Sequence, residues 1–326
     1  MGLFFNPSTS ARMDFSDQIP VIDFHTHLGN IFPTGPRIHL EARTDSPPSV
    51  MITFPGMADP DQLFYRNRPG RFSFNSLRHG LLSLYRRRKM IRGATIPNLQ
   101  QSMRENGISR SVVLPIEYAR GGSPRATLEL LAVCLKYPEI LPFCSVDPRG
   151  PEVRKHLREY IKLGARGLKL HPNFQEFKPS DPGCLEVCEE ASQHSLPVIF
   201  HTGTKGYEKR PGRIPSALEN FEALLRTFPQ MTFILGHMGI SQYKLAIRLA
   251  QRYPNVYLET SGQPASHIKE AIQAVGGDRV LFGSDWPLWD PIYPLKAVLD
   301  ATKGDLGLRK LVLHENAVRI LKEACL

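Results

Sequence analysis

From residue 95 to its end the chain alternates short apolar, β-branched runs with longer amphipathic stretches, and this alternation limits the fold more than any other feature. Counting an earlier run at 21–27, the strand-like segments are 21–27, 111–116, 140–146, 165–171, 197–201, 232–237, 256–260 and 280–284. Between them, apolar residues recur at three- and four-residue spacing over 99–106, 125–137, 152–163, 184–194, 217–227, 242–253 and 267–275. A closing helix is expected over 308–324. Punctuation agrees: Gly107 and Gly164 follow helix ends, and Pro151 and Pro215 precede helix starts. Strands that alternate with helices make a parallel sheet, and eight such units predict an α/β chain folded as a (β/α)8 barrel. The expectation is one barrel domain over 1–326.

The first connection breaks the rhythm. Residues 30–95 are far too long for an ordinary loop and are rich in Pro, Gly and Arg. Following strand 1, they must emerge on the C-terminal face, so a lid or small subdomain is expected there. Composition matters mainly here. The formal charge is +10, and residues 66–92 hold nine basic side chains, including Arg86, Arg87, Arg88 and Lys89, with no acid. The rest of the chain is close to neutral, which argues against a general nucleic-acid-binding surface. The basic stretch reads as the solvated end of an amphipathic lid helix, as an anion-recognising lid or oligomer contact, or as a membrane-surface contact. No apolar run approaches the roughly 18 residues of a membrane span, and no signal peptide is indicated. The five cysteines, Cys134, Cys144, Cys184, Cys188 and Cys325, lack a zinc-knuckle spacing and read as buried thiols, so a cytoplasmic location is expected.

Polar residues cluster where the barrel's active face should be. Strand 1 ends in His25-Thr-His27, whose i, i+2 spacing puts two imidazoles on one face of a strand. Strand 4 reads Gly167-Leu-Lys169-Leu-His171, strand 5 ends in His201-Thr-Gly, strand 6 in Gly-His237-Met-Gly and strand 8 in Gly-Ser-Asp285-Trp286-Pro. One histidine after an apolar run is usually structural. Five strand ends carrying polar groups together point to a catalytic face. Imidazoles and a carboxylate suit a divalent cation such as Zn²⁺. Asp23 reads as a buried structural partner on the face of His25. Glu259 reads either as a partner of a ligating histidine or as half of an ion pair. No phosphate-binding loop or nucleophile elbow is present.

These motifs, with the closing Glu315-Asn-Ala-Val-Arg-Ile-Leu, resemble the amidohydrolase superfamily over nearly the whole barrel. Within it they are similar to the amidohydrolase-related group that includes aminocarboxymuconate semialdehyde decarboxylase and resorcylate-type decarboxylases. The resemblance implies metal ligation by His25, His27, His201 and Asp285, with His237 beside the metal as an acid, base or electrostatic group. It implies one Zn²⁺ per chain, a small-molecule substrate and a homodimer. Lys169 keeps three readings: a substrate-contacting cation, a carboxylated bridge to a second metal, or an internal ion-pair partner. Asp285, His237 and Lys169 are the catalytic candidates. His171 and Trp286 are expected to contact substrate, though each also fits a packing role. The leading expectation is hydrolysis of a small ester, lactone, amide or C–C bond. The second is nonoxidative decarboxylation of a small unsaturated or aromatic acid, for which an anionic substrate follows. A metal-retaining barrel without turnover is the third, and the intact polar set argues against it.

Overall fold

The computed structural model describes residues 19–31, 38–44, 91–118, 125–204 and 211–323. Most of the expected lid, the basic run up to Met90, and Cys325 lie outside the described residues. The eight expected strands are all present: β1 Val21–Thr26, β2 Ile108–Val113, β3 Ile140–Pro142, β4 Leu168–Leu170, β5 Val198–His201, β6 Phe233–Gly236, β7 Val256–Glu259 and β8 Val280–Leu281. All ladders are parallel, in the orders β1-β2-β3 and β4-β5-β6-β7-β8. Short bridges join the two groups. Cys144 pairs with Leu168, and Thr26 with Trp286, so the sheet closes on itself as a (β/α)8 barrel.

Helices cover the outside: α1 Ile96–Glu105, α2 Arg125–Cys134, α3 Val153–Lys162, α4 Pro182–Gln193, α5 Glu222–Thr227, α6 Tyr243–Arg252, α7 Ala265–Val275 and α8 Ile292–Ala301. Their apolar faces pack on the outward strand residues in one continuous core that includes Val21, Leu168, Leu170, Val198, Phe200 and Leu258. A second cluster fills the barrel itself: Ile22, Phe24, Val112, Leu141, Phe143, Ile199, Ile234 and Leu281. Ala317, Ile320 and Leu321 of the last helix, Asn316–Glu323, belong to it and plug one end. The interior is therefore solid below the polar strand ends, so the chemistry is confined to one face.

Four sequence expectations need correction. Helix α8 was absent from the periodic reading, because Pro291 and Pro294 made its first turn look like loop. Those prolines sit where the first helical amide groups have no partner anyway. The closing helix is broken by a π-helical turn at Leu311–Glu315. The segment expected as one helix over 217–227 is a short 3-10 turn, Leu218–Asn220, followed by α5. Strands β3, β4 and β8 are also shorter than their apolar runs, since burial continues past the last ladder pair into the active-face loops.

One buried acid makes a stability prediction. Glu117, just past β2, is 7 % exposed and accepts a hydrogen bond from the Tyr160 hydroxyl at 3.2 Å. Burial pushes its carboxyl from 4.5 up to about 8, against the pull of hydrogen bonds from Thr127 and Tyr160. The folded protein thus keeps a proton that the unfolded chain loses near pH 4.5. Stability falls as pH rises from about 4.5 to about 8, and this contribution is level above that. Glu117→Gln should flatten that slope and raise stability at pH 8.5 by about 1–3 kcal/mol, read as Tm at pH 6 and 8.5. An unchanged slope would show that Glu117 is ionised in the fold.

Candidate metal centre and active site

Strand β1 delivers two histidines because it is bulged. Asp23 pairs with Ser111 and Thr26 with Val113, so β1 carries one more residue than β2 across that step. Ile22 and Phe24 can then face the interior while His25 and His27 still turn into the active face. Strict alternation, which put Asp23 on the face of His25, does not describe this strand. Asp23 instead ties β1 to the strand-8 loop, accepting from the amide of Ser284 at 2.9 Å and its hydroxyl at 2.5 Å. Burial pushes its carboxyl up to about 7 despite these donors.

The proton positions on the histidines follow from their partners. His27 Nδ1 lies 2.7 Å from Leu114 O, an atom that can only accept, so Nδ1 carries a proton and the neutral ring presents its lone pair at Nε2. His25 Nδ1 lies 2.7 Å from Glu259 Oε2, which fixes the same tautomer. Glu259 also accepts from the amides of His237 and Ser261 and from the Ser261 hydroxyl. Burial pushes Glu259 up to about 7 against the pull of the His237 and Ser261 donors, and the two backbone amides, which can only donate, make an acceptor of each of its oxygens. Because Ser261 gives its proton to Glu259, it must accept from His237 Nδ1 at 2.7 Å. His237 Nε2 is therefore also unprotonated. Burial, with neighbouring cations, holds His25 and His237 well below the usual imidazole range, so both are neutral.

Those lone pairs converge on Asp285. Its Oδ1 lies 3.2 Å from His27 Nε2 and 3.6 Å from His25 Nε2. This oxygen is buried and has no hydrogen-bond partner. Ligand atoms of His25, His237 and Asp285 all fall within 4.8 Å of one another. An orphaned carboxylate oxygen facing unprotonated nitrogens is repulsive until a cation stands between them, so the residues fit a divalent metal. Lys169, 1 % exposed on β4, places Nζ 3.3 Å from His25 Nε2, and burial lowers it to about 8. His201 stacks on His171 at 4.0 Å and meets the His237 ring edge-on at 4.8 Å. The structure thus brings His25, His27, Lys169, His171, His201, His237 and Asp285 together.

Trp286 is placed elsewhere. It is fully buried and is not among the described residues lining the cavity beside the metal site. That cavity, about 90 Å³, is lined by His201, His237, Ile240, Ser261, Gly262, Gln263 and Asp285. Ser261 and Gln263 escaped the sequence reading. Gln263 donates to the carbonyls of His237 and Ile240, both in left-handed turns, and so fixes the loop that presents His237. The usable signal was the polar run Glu259-Thr-Ser-Gly-Gln263 at a strand end. Gly283 explains part of the strand-8 motif: a Cβ there would lie 2.2 Å from Glu259 Oε1 and 2.8 Å from His25 Cβ. Only glycine leaves room for the pair that orients His25. Thr202, in the strand-5 motif, donates to Gly236 O and accepts from the Gly239 amide, which ties the His201 strand to the His237 turn.

Glu259 sets the tautomer of His25 and takes the amide of His237, so its loss should be felt at the metal. Glu259→Gln is expected to weaken metal binding about 10–100-fold, measured by competition with a chromogenic chelator. Unchanged affinity would leave Glu259 with a packing role alone.

A family model described as amidohydrolase matches residues 22–322. No curated protein matches the sequence. Solved structures share the fold. A 5-carboxyvanillate decarboxylase from Sphingomonas paucimobilis is 15% identical, with 93% of this chain and 99% of that one covered and a TM-score of 0.62. A 2,6-dihydroxybenzoate decarboxylase from Rhizobium is 17% identical, with 93% and 98% covered and a TM-score of 0.60. A probable 2-pyrone-4,6-dicarboxylic acid hydrolase from Acinetobacter baumannii is 14% identical, with 93% and 99% covered and a TM-score of 0.55.

Proposed function

For this chain, which belongs to the amidohydrolase family and is an enzyme, we propose nonoxidative decarboxylation of a small, planar ring carboxylic acid at a single metal site. The observation that carries the reading is the orphaned Asp285 Oδ1 facing the unprotonated nitrogens of His25 and His27. One cluster of this kind is found among the described residues, which supports one metal per chain. The three compounds named for the similar structures are all ring carboxylates, and two of the three are named as decarboxylase substrates.

In this reading His25, His27, His201 and Asp285 would hold the metal. When bound, it supplies a Lewis acid that draws substrate oxygens into the site. The chain's own groups do the rest. His237 Nε2, with its lone pair free and Nδ1 fixed by Ser261, takes up a proton from solvent and passes it to the ring carbon that loses CO₂. The C–C bond to the carboxyl group breaks, its electron pair stays on the ring, and that proton completes the product. Lys169 faces the developing negative charge as an unmodified cation. The cavity, lined in part by Ile240 and Gly262, takes the planar ring.

Hydrolysis is the second reading, favoured by the same free Nε2, which is equally placed to take a proton from an attacking water. Zinc- or manganese-loaded protein offered 2,6-dihydroxybenzoate, 5-carboxyvanillate and 2-pyrone-4,6-dicarboxylate separates the two. Release of CO₂ with loss of one carboxyl supports the lyase. Ring opening without CO₂ assigns the hydrolase. No turnover of these or a wider panel of ring carboxylates, by protein that binds metal, would overturn the substrate class.

A further inference from the structure

His25, His27 and His237 each donate Nδ1–H to a fixed acceptor and turn an unprotonated Nε2 inward. His171 is reversed. The Phe174 amide, which can only donate, reaches His171 Nδ1 at 3.2 Å while also bonding His171 O at 3.0 Å. Nδ1 is therefore the acceptor, and the proton of the neutral ring sits on Nε2. The ring is clamped between two plates: Phe174 at 3.9 Å and 11°, and His201 at 4.0 Å and 7°. A half-turn of the ring would keep the stack but set a C–H against the Phe174 amide. The backbone is pinned as well. His171 N donates to Gln175 Oε1 at 2.8 Å, and Gln175 Nε2 donates to Val146 O at 2.8 Å. His171 does not itself line the cavity; its ring is stacked on His201, which does, and among the described residues no hydrogen bond to His171 Nε2 is found. A nitrogen that carries a proton cannot ligate a metal, whereas a fixed N–H beside a metal site is suited to an anionic oxygen.

We propose that His171 is a specificity-determining hydrogen-bond donor: its Nε2–H holds the carboxylate of the ring acid next to His201, and it is not a metal ligand. This rests on the reading of the site as a metal centre for a ring carboxylate. It adds what the ligand set leaves open, namely which side chain selects a carboxylate over a neutral ring.

The test is long-range proton–nitrogen correlation NMR on histidine-labelled full-length protein, metal-free and then titrated with zinc. His171→Phe, which keeps a plate in the stack and removes the donor, assigns the His171 signals. The expected result is an Nε2–H tautomer for His171 in both states, with zinc moving ring-nitrogen signals of His25, His27 and His201 and leaving that of His171 in place. His171→Phe should then bind zinc with wild-type stoichiometry. Its KM for the ring carboxylate that the wild type turns over should rise about 10-fold or more, with kcat changed less. An Nδ1–H tautomer, loss of the Nε2 proton on adding zinc, or an unchanged KM would overturn the proposal. Zinc that moves no histidine signal would instead overturn the metal centre, and the tautomer of the metal-free protein would still decide the state of His171.

Discussion

Asp285→Ala is expected to fold as the wild type does and to lose both its metal and its turnover. The carboxylate is the one anionic ligand candidate, and its Oδ1 has no other partner. Without it, His25, His27 and His237 present neutral nitrogens beside buried Lys169, a poor cage for a dication. Turnover should fall at least about 10³-fold, because the metal's charge stabilisation goes with the ligand. Stability gives a second readout. Metal at 100 to 1,000 times its Kd should stabilise the wild type by about 3–4 kcal/mol, and this metal-dependent rise in Tm should vanish in the variant. Asp285 has φ 61°, where alanine is strained, so Asp285→Asn belongs beside it; asparagine tolerates that backbone. Removing an unpaired buried carboxylate should leave the metal-free Asn variant at least as stable as metal-free wild type. Wild-type metal content in both variants, with turnover kept, would sink the assignment.

How far this was legible in the sequence depends on which force shapes each part. The barrel was readable because helix and strand periods alternate over most of the chain, and outward strand residues such as Val198 and Phe200 must be apolar to pack on helices. The ends of β1, β4, β5, β6 and β8 were readable because a histidine, lysine or aspartate closing an apolar run needs a reason to be buried. The bulge in β1 was not: it comes from pairing with β2, and no local residue marks it. Helix α8 was hidden by its own prolines. Glu259 was seen only as one of two readings, since its role depends on His25 and Gly283, which neighbour it in space through two different connections. Trp286 follows a site aspartate directly, yet the left-handed turn at Asp285 sends the indole into the core while the carboxylate enters the site. Adjacency in sequence was a poor guide there because a single backbone dihedral separated the two side chains.

His237→Asn is expected to lower kcat about 10²–10⁴-fold, the range for removing a positioned proton carrier. Asparagine suits the left-handed backbone at this position, φ 58°, so the loop held by Gln263 should survive. What makes the variant informative is the metal count. His237 stands close enough to His25 and Asp285 to be a ligand by distance. Its Nε2 lone pair suits either role. If His237 carries the proton, the variant keeps its metal and loses kcat. If it is a ligand, metal and turnover fall together, and His201 or His27 is released for the proton. Ser261→Ala tests the same point from behind. It frees Nδ1, allows the tautomer to reverse, and should cost kcat less than His237→Asn while leaving metal bound. A His237→Asn variant with wild-type kcat would remove His237 from the chemistry in both the lyase and the hydrolase reading, because each routes its proton through that one nitrogen.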